Sequence, residues 1–188
     1  IVVSELLQSP EAKKKIDAGL LAGDREVTKI VLRELLDPKY ESGAVVDGYP
    51  RTKTQVECLK RFHRRLSDLR SKYLGTFQES QFPKPRFHII MLFIDEDESV
   101  RRQLLRGERT IAHNKEVDAS GVGTKWETRK TDLDDASAHK RYKTFKESTY
   151  DSLTTLREVF HYHFINAHGT IIEVQQRIIS ELKYQSSL

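Results

Sequence analysis

The stretch VVDGYPRTKTQ gathers an acid, a glycine, a proline, an arginine and an amide as Asp47, Gly48, Pro50, Arg51 and Gln55. A guanidinium is planar, permanently charged and offers a fork of donors that fits an oxyanion such as phosphate. A preceding glycine lets the backbone approach a ligand with no Cβ in the way. The proline stiffens the turn that aims the arginine, and an amide can present both a donor and an acceptor to one partner. Read by itself, the stretch is equally a strand-ending turn with Arg51 as a surface charge. Arg102 and Arg106 lie four apart and share one helix face. His161 and His163 fall on one side of a strand, with no acid or cysteine near them in sequence, and no metal site is expected there. His113 alone cannot make one.

The elements that must position these residues follow from period and punctuation. A helix is expected after Ser4 or Ser9, with Pro10 just inside it, and a second with an apolar stripe at Val27, Ile30, Val31 and Leu35, capped by Asp24 and stopped by Pro38. GAVVDG reads as a short buried strand, and a basic helix runs from Thr54 to about Arg70. FHIIMLFID, apolar throughout, is the strongest strand and suits the middle of a parallel sheet. EDESVRRQLLRGE opens a helix, and the stretch from Thr110 to Glu127 has no period and reads as a mobile excursion, with Gly121 and Gly123 suited to a flap. A long helix or two, the strand HYHFINA and an amphipathic helix opened by Thr170 complete the chain. Alternating strands and helices of these lengths imply an α/β sheet with helices on its faces. Ligands then meet the carboxyl ends of the strands, where Asp47 and Asp95 sit.

The 188 residues suit one domain with a real core. With 37% hydrophobic and 32% charged residues and no apolar run near the ~20 needed to cross a bilayer, no membrane-spanning helix is expected. A single cysteine, Cys58, precludes an internal disulfide and suits a reducing compartment, or any compartment where disulfides are not needed; an intracellular protein is expected. The net charge of +4 favours anionic partners, among which nucleotides, nucleic acid and acidic proteins all qualify. The chain opens on Ile1 without a leader pattern, and so reads as the inside of something longer.

Five pieces, in order, resemble adenylate kinases and related nucleoside monophosphate kinases. VVDGYPRTKTQ resembles their DGFPRT..Q stretch. GLLAGDREVTKIVLRELL resembles the helix pair of the monophosphate pocket, and FHIIMLFIDEDESVRRQLLRG the strand and helix that lead to the lid. RKTDLDDASAHKRYKTF resembles the segment that leaves the lid, and FHYHFINAHGTIIEVQQRI the last strand and helix. The resemblance implies a P-loop NTPase-type parallel sheet flanked by helices, with a monophosphate-binding part about 4–60 and a lid about 107–130 in one domain, 1–188. It implies reversible transfer of a phosphoryl group from ATP to AMP. Arg51 then holds the AMP phosphate, Gln55 reads the adenine edge, Gly48 admits the nucleotide to the backbone, and Asp47 orients water around the Mg²⁺ that accompanies ATP. Arg102 and Arg106 match the arginine pair entering the lid, and Arg141, before Tyr142, the later of two leaving it. The earlier falls on Lys130 by the family spacing, or on Arg129 with one residue inserted. Such cations shield the charge that spreads over a transferring phosphoryl group.

Two departures accompany the resemblance. No GxPGxGKGT phosphate loop occurs in the 188 residues, so the first strand and the P-loop of the family are missing here. IVVSELLQS aligns with the stretch that follows that loop, placing Val3 where the family has a threonine near adenine and Gln8 where it has the second phosphate arginine. The lid lacks the four-cysteine zinc set. Two readings follow: an enzyme whose loop lies upstream, or a degenerate, kinase-like scaffold held in a larger assembly. For the latter, the basic helix 60–73 and the inserted stretch 66–86 are the expected docking surface for a protein, with nucleic acid the less expected partner. The tail resembles plant and algal plastid members, which implies a plastid, with cytoplasm and mitochondrion as alternatives.

Overall fold

The computed structural model describes residues 1–18 and 20–186. In chain order the elements are α1 (Val3–Leu6), α2 (Pro10–Asp17), α3 (Asp24–Leu35), α4 (Lys53–Tyr73), β1 (His88–Phe93), α5 (Glu96–Ser120), α6 (Asp135–Thr144), α7 (Asp151–Thr154), β2 (His161–Asn166) and α8 (Ile171–Ser186). They form two compact units, one from Ile1–Tyr49 with Asp95–Thr149, the other from Pro50–Ile94 with Tyr150–Leu188.

The first unit is built on helix α3, whose Val27 and Val31, one turn apart, are buried with Val3, Leu7 and Ala12. Ser9 caps α2, its hydroxyl accepting from the Ala12 N–H at 3.2 Å, with Pro10 in the first helical position, where its missing donor costs nothing. GAVVDG does not form the buried strand expected of it. Val45 is 85% exposed, and the segment contributes one parallel bridge, Val2 to Asp47, before the paired chain turns into α1. Pairing that stops after one bridge leaves Val45 nothing to pack on, while Val46 rests half-buried against the core around α3.

Helix α5 is capped by Asp95, which accepts from the Glu98 N–H at 2.9 Å, and carries three acids in its first turn, where the helix dipole favours them. It runs through Ser120, well into the stretch expected to be an excursion, and ends at Gly121 in the left-handed conformation, φ 67°. The period is missing from the sequence because the last turns of α5 bury almost nothing; only Thr110 among them is buried. They are held instead by the returning chain. The Asn114 amide accepts from the Trp126 N–H at 2.8 Å and donates to the Trp126 carbonyl at 3.0 Å, as a neighbouring strand would. Trp126 stacks on His113 at 3.9 Å, and Lys125 pairs with Asp118 at 2.7 Å.

The second unit holds the sheet. β1 and β2 are parallel, in a register that pairs His88 with His161 and Phe93 with Asn166. Among the described residues this two-stranded sheet is the whole of the expected parallel layer, and Ile90 and Leu92 of β1 stay partly exposed. Met91, Ile165, Leu156 and Phe160 form its core, with Phe87 stacked on Phe160 at 5.5 Å. α8 starts with a capping box: the Thr170 hydroxyl accepts from the Glu173 N–H, and the Glu173 carboxylate accepts from the Thr170 N–H at 2.7 Å.

Candidate functional site

In the first unit, three of the expected arginines are set by the packing of α5 on the turn Lys130–Asp132 and on α6. Gly107 makes that approach close: a Cβ there would lie 2.0 Å from the Asp132 carbonyl oxygen. With the turn so near, Asp132 reaches the arginine one residue before Gly107. Arg106 donates from Nε and Nη2 to the two carboxylate oxygens of Asp132, both at 2.7 Å, in the bidentate geometry that is strongest for this pair. Arg141 of α6 reaches the same residue, 3.8 Å from Oδ1, and donates to the Thr131 hydroxyl at 3.5 Å. The structure thus brings Arg106 and Arg141 together on one buried carboxylate, which raises the Arg106 pKa further through its hydrogen bond. Arg102, one turn earlier, donates to Glu98 at 2.7 Å. Glu98 also takes Arg101, and these two guanidiniums hold its carboxyl down at about 2.

Asp132 carries no mark of its role in the sequence. It is one of three aspartates in TDLDD, and nothing in their order marks which is buried; the signal lies in Gly107, whose need for close approach shows only in the fold. Lys130 lies elsewhere: with Lys13, Lys14, Pro10 and Ala18 it lines an open groove of about 500 Å³. Arg129, the other candidate for that position, lies 3.7 Å from Glu127.

Asp47 and Gly48 end the first segment of this unit. Asp47 is exposed, and Gly48 has φ 90°, which a side chain disfavours and a glycine accepts. Gln8 donates its amide to the Glu5 carbonyl, closing the end of α1, and Val3 is buried at 3%.

In the second unit, Arg51 and Gln55 sit at the start of α4. Thr52 is the N-cap, its hydroxyl accepting from the Gln55 N–H at 3.2 Å. Gln55, at 2% exposure, turns its Oε1 back to accept from the Arg51 N–H at 2.8 Å. Threonine followed three residues later by glutamine is a capping-box pattern, and it orders the backbone that carries Arg51, whose side chain is exposed. His163, fully buried on β2, has a carboxylate partner after all: Nδ1 lies 3.3 Å from Glu181 of α8, and Nε2 lies 3.0 Å from His88 Nδ1. Burial and the neighbouring His161, His163 and Arg86 lower the His88 pKa. Among the described residues no group of three His, Cys, Asp or Glu is arranged to hold a metal.

No protein-family model matches the chain. Curated proteins do match it. It is 28% identical to the adenylate kinase of Syntrophotalea carbinolica over 183 residues, 92% of this chain and 76% of that one. It is 34% identical to the adenylate kinase of Lactobacillus helveticus over 92 residues, 49% of this chain and 35% of the relative. In sequence the chain is thus similar to adenylate kinases. A third example, the adenylate kinase of Trichodesmium erythraeum, is 31% identical over 96 residues, 51% of this chain and 44% of the relative. The match spans only about a third of the length of relatives such as the Lactobacillus helveticus protein. The mixed α/β composition, mostly helical with one two-stranded parallel sheet among the described residues, agrees with an adenylate kinase-like core. No helix among the described residues is long and apolar enough to cross a membrane.

Proposed function

We propose that this chain carries the monophosphate-binding and lid parts of an adenylate kinase-like phosphotransferase, which moves a phosphoryl group reversibly between ATP and AMP. The observation that carries the reading is the gathering of Arg106 and Arg141 on buried Asp132, midway along α5. Cations fixed in advance by a buried partner can meet the charge that develops on a transferring phosphoryl group without reorganising. Arg102, one turn along, extends the cationic set, and Lys130 contributes from the separate groove it lines with Lys13 and Lys14. Arg51, on backbone ordered by the capping box, takes the AMP phosphate, with Gly48 admitting the nucleotide. Gln55 reads the adenine edge when its amide exchanges the Arg51 N–H for the base. Mg²⁺ arrives with ATP as part of the substrate. Asp47 fits the role of holding its water, since Mg²⁺ keeps several waters and takes one or two carboxylates besides the substrate phosphates. No residue of the chain is assigned to the ATP phosphate loop.

Calorimetric titration of AMP into the chain tests this. Binding should be measurable, and Arg51→Ala should weaken it by about thirtyfold or more, the ~2 kcal/mol lower bound for removing one partner of a desolvated charge pair. Absence of AMP binding at millimolar concentration, or equal binding by the variant, overturns the reading.

A second reading, a kinase-like binding subunit without turnover, is favoured by one observation: Gln8 and Val3, at positions where the family has nucleotide-contacting residues, serve here as a helix-end bond and a core residue. It predicts no phosphoryl transfer to AMP from any longer form of the protein that includes a phosphate loop.

A further inference from the structure

Phe77 is 93% exposed and Leu74 58%, yet the loop that carries them is firmly built. Arg70, near the end of α4, donates to the Glu79 carboxylate at 2.9 Å and to the Phe82 carbonyl at 3.2 Å. The other oxygen of Glu79 accepts from the Gly75 N–H at 2.9 Å, a bond that lowers the Glu79 pKa. Tyr73 stacks on Phe82 at 4.3 Å, and the Thr76 hydroxyl donates to the Tyr73 carbonyl at 2.7 Å. A large aromatic side chain held out into water by an ordered loop is costly to keep, and it marks a contact surface more often than a core fault.

The charge around it is equally uneven. Between Lys60 and Arg86 there are eight basic residues and two acidic ones, a local charge of +6, against +4 for the whole chain; the remaining residues are therefore net negative. Along α4, Arg61, Arg64, Arg65 and Lys72 fall on one exposed stripe, interrupted only by Asp68. Among the described residues Arg61, Arg64 and Arg65 form no ion pair.

We propose that α4 and the loop 74–82 form a platform for single-stranded nucleic acid, in which the arginine stripe tracks the phosphates and Phe77 stacks on a base. The chemistry of the surface favours this over a protein partner. Stable protein interfaces have an apolar core depleted of charge, whereas here two apolar side chains adjoin a dense cationic stripe. A cationic track with an isolated aromatic is what single-strand binders use, because every base has a π-face and every nucleotide a phosphate. The proposal is independent of phosphoryl transfer.

The test is fluorescence anisotropy of a labelled oligouridylate of roughly 12 nucleotides, within the site sizes of single-strand binders, titrated with the whole chain at low and at physiological salt. Phe77→Ala should weaken binding about tenfold without changing the salt slope, and Phe77→Tyr should restore it. Arg64→Ala with Arg65→Ala should lower the slope of log K against log salt by about 1.4, two single-strand phosphate contacts. All three side chains are exposed, so the fold survives their removal. The proposal is overturned if Phe77→Ala binds as wild type does. It is overturned equally if polyglutamate or phosphatidylserine vesicles of matched charge displace the oligonucleotide as well as unlabelled oligouridylate does, since the surface would then serve an acidic protein or a membrane.

Discussion

Gly107→Ala separates helix propensity from packing, because the two predict opposite signs. In a helix interior, glycine to alanine stabilises by about 1 kcal/mol through backbone entropy alone. At Gly107 the new Cβ would stand 2.0 Å from the Asp132 carbonyl oxygen and 2.9 Å from its carbon, both backbone atoms that no rotamer change can move. To reach an ordinary contact of 3.4 Å the turn must retreat by about 1.4 Å. A retreat of that size breaks the two 2.7 Å bonds between Asp132 and Arg106. Overpacking of this kind costs about 1–3 kcal/mol. The ion pair adds about 1 kcal/mol, set low because the Arg106 side chain is 48% exposed and rehydrates. After the gain in propensity, the net is a destabilisation of about 1–3 kcal/mol. With an m-value of about 2 kcal/mol/M, the urea midpoint should fall by about 0.5–1.5 M. Trp126, the single tryptophan, stacks on His113 in the same unit and reports the transition by fluorescence, with circular dichroism alongside. In the cycle with Asp132→Asn, the two substitutions should be non-additive by about 1 kcal/mol, the pair being lost only once. A midpoint that stays put or rises on Gly107→Ala would falsify the close approach of α5 to the turn and, with it, the account of how Arg106 is positioned.

Three shorter predictions accompany it. The hydrogen bond from His139 Nδ1 to Glu96, at 2.8 Å, raises the His139 pKa, with Asp135 and Asp97 adding to the effect. A raised folded-state value means this pairing stabilises fully below the unfolded value of 6.5 and fades as pH rises through the folded one, so NMR titration should place His139 above 6.5 and Glu96→Gln should bring it down; a midpoint unmoved by that substitution refutes the pairing. Glu98, at about 2, runs the other way: its contribution is present above the model-peptide value of 4.5 and is lost as pH falls towards 2, and Glu98→Gln should flatten acid unfolding in that window. Thr52→Ala should cost about 1 kcal/mol in urea unfolding by removing the cap of α4, while Thr52→Ser costs little; equal stability of all three proteins would show that the cap is idle.

Much of the architecture is legible in the sequence where a single rule decides. Pro10 after Ser9, the acid-rich start of α5, the capping pattern at Thr52 and Gln55, and the apolar run of β1 each state their element locally. The last turns of α5 are not legible, because amphipathic period records burial and these turns bury almost nothing; Asn114 and Lys125 hold them through bonds that have no period. GAVVDG misleads for the converse reason: an apolar run predicts burial, but burial needs a neighbour, and Val45 has none to pack on. Arg102 and Arg106 can be paired by counting, and Arg141 by resemblance. Asp132 cannot be found either way. Phe77 is hidden by the same convention that reveals cores, since a phenylalanine in a sequence is read as interior until a structure shows it outside.

The distribution of burial around Asp132 carries the electrostatic meaning of the cluster. The carboxylate side chain is 5% exposed, while Arg106 and Arg141 are 48% and 35% exposed. The negative charge is inside and the positive charges lie towards the solvent, so an approaching anion meets guanidinium first and carboxylate last. A buried carboxylate left alone would be expensive, and so would two guanidiniums fixed close together without one. Each arginine stabilises the acid, and the acid lets the two cations share one place. Asp132 engages the Nε–Nη2 edge of Arg106, so an oxyanion must approach from the Nη1 side or displace Asp132. The first route keeps the arginine in place and adds a contact; the second gives up a bidentate bond to form another of similar strength and gains little. On the proposed reading, an anion that takes the outer edge is favoured, and a phosphoryl oxygen is one that the guanidinium fork accommodates.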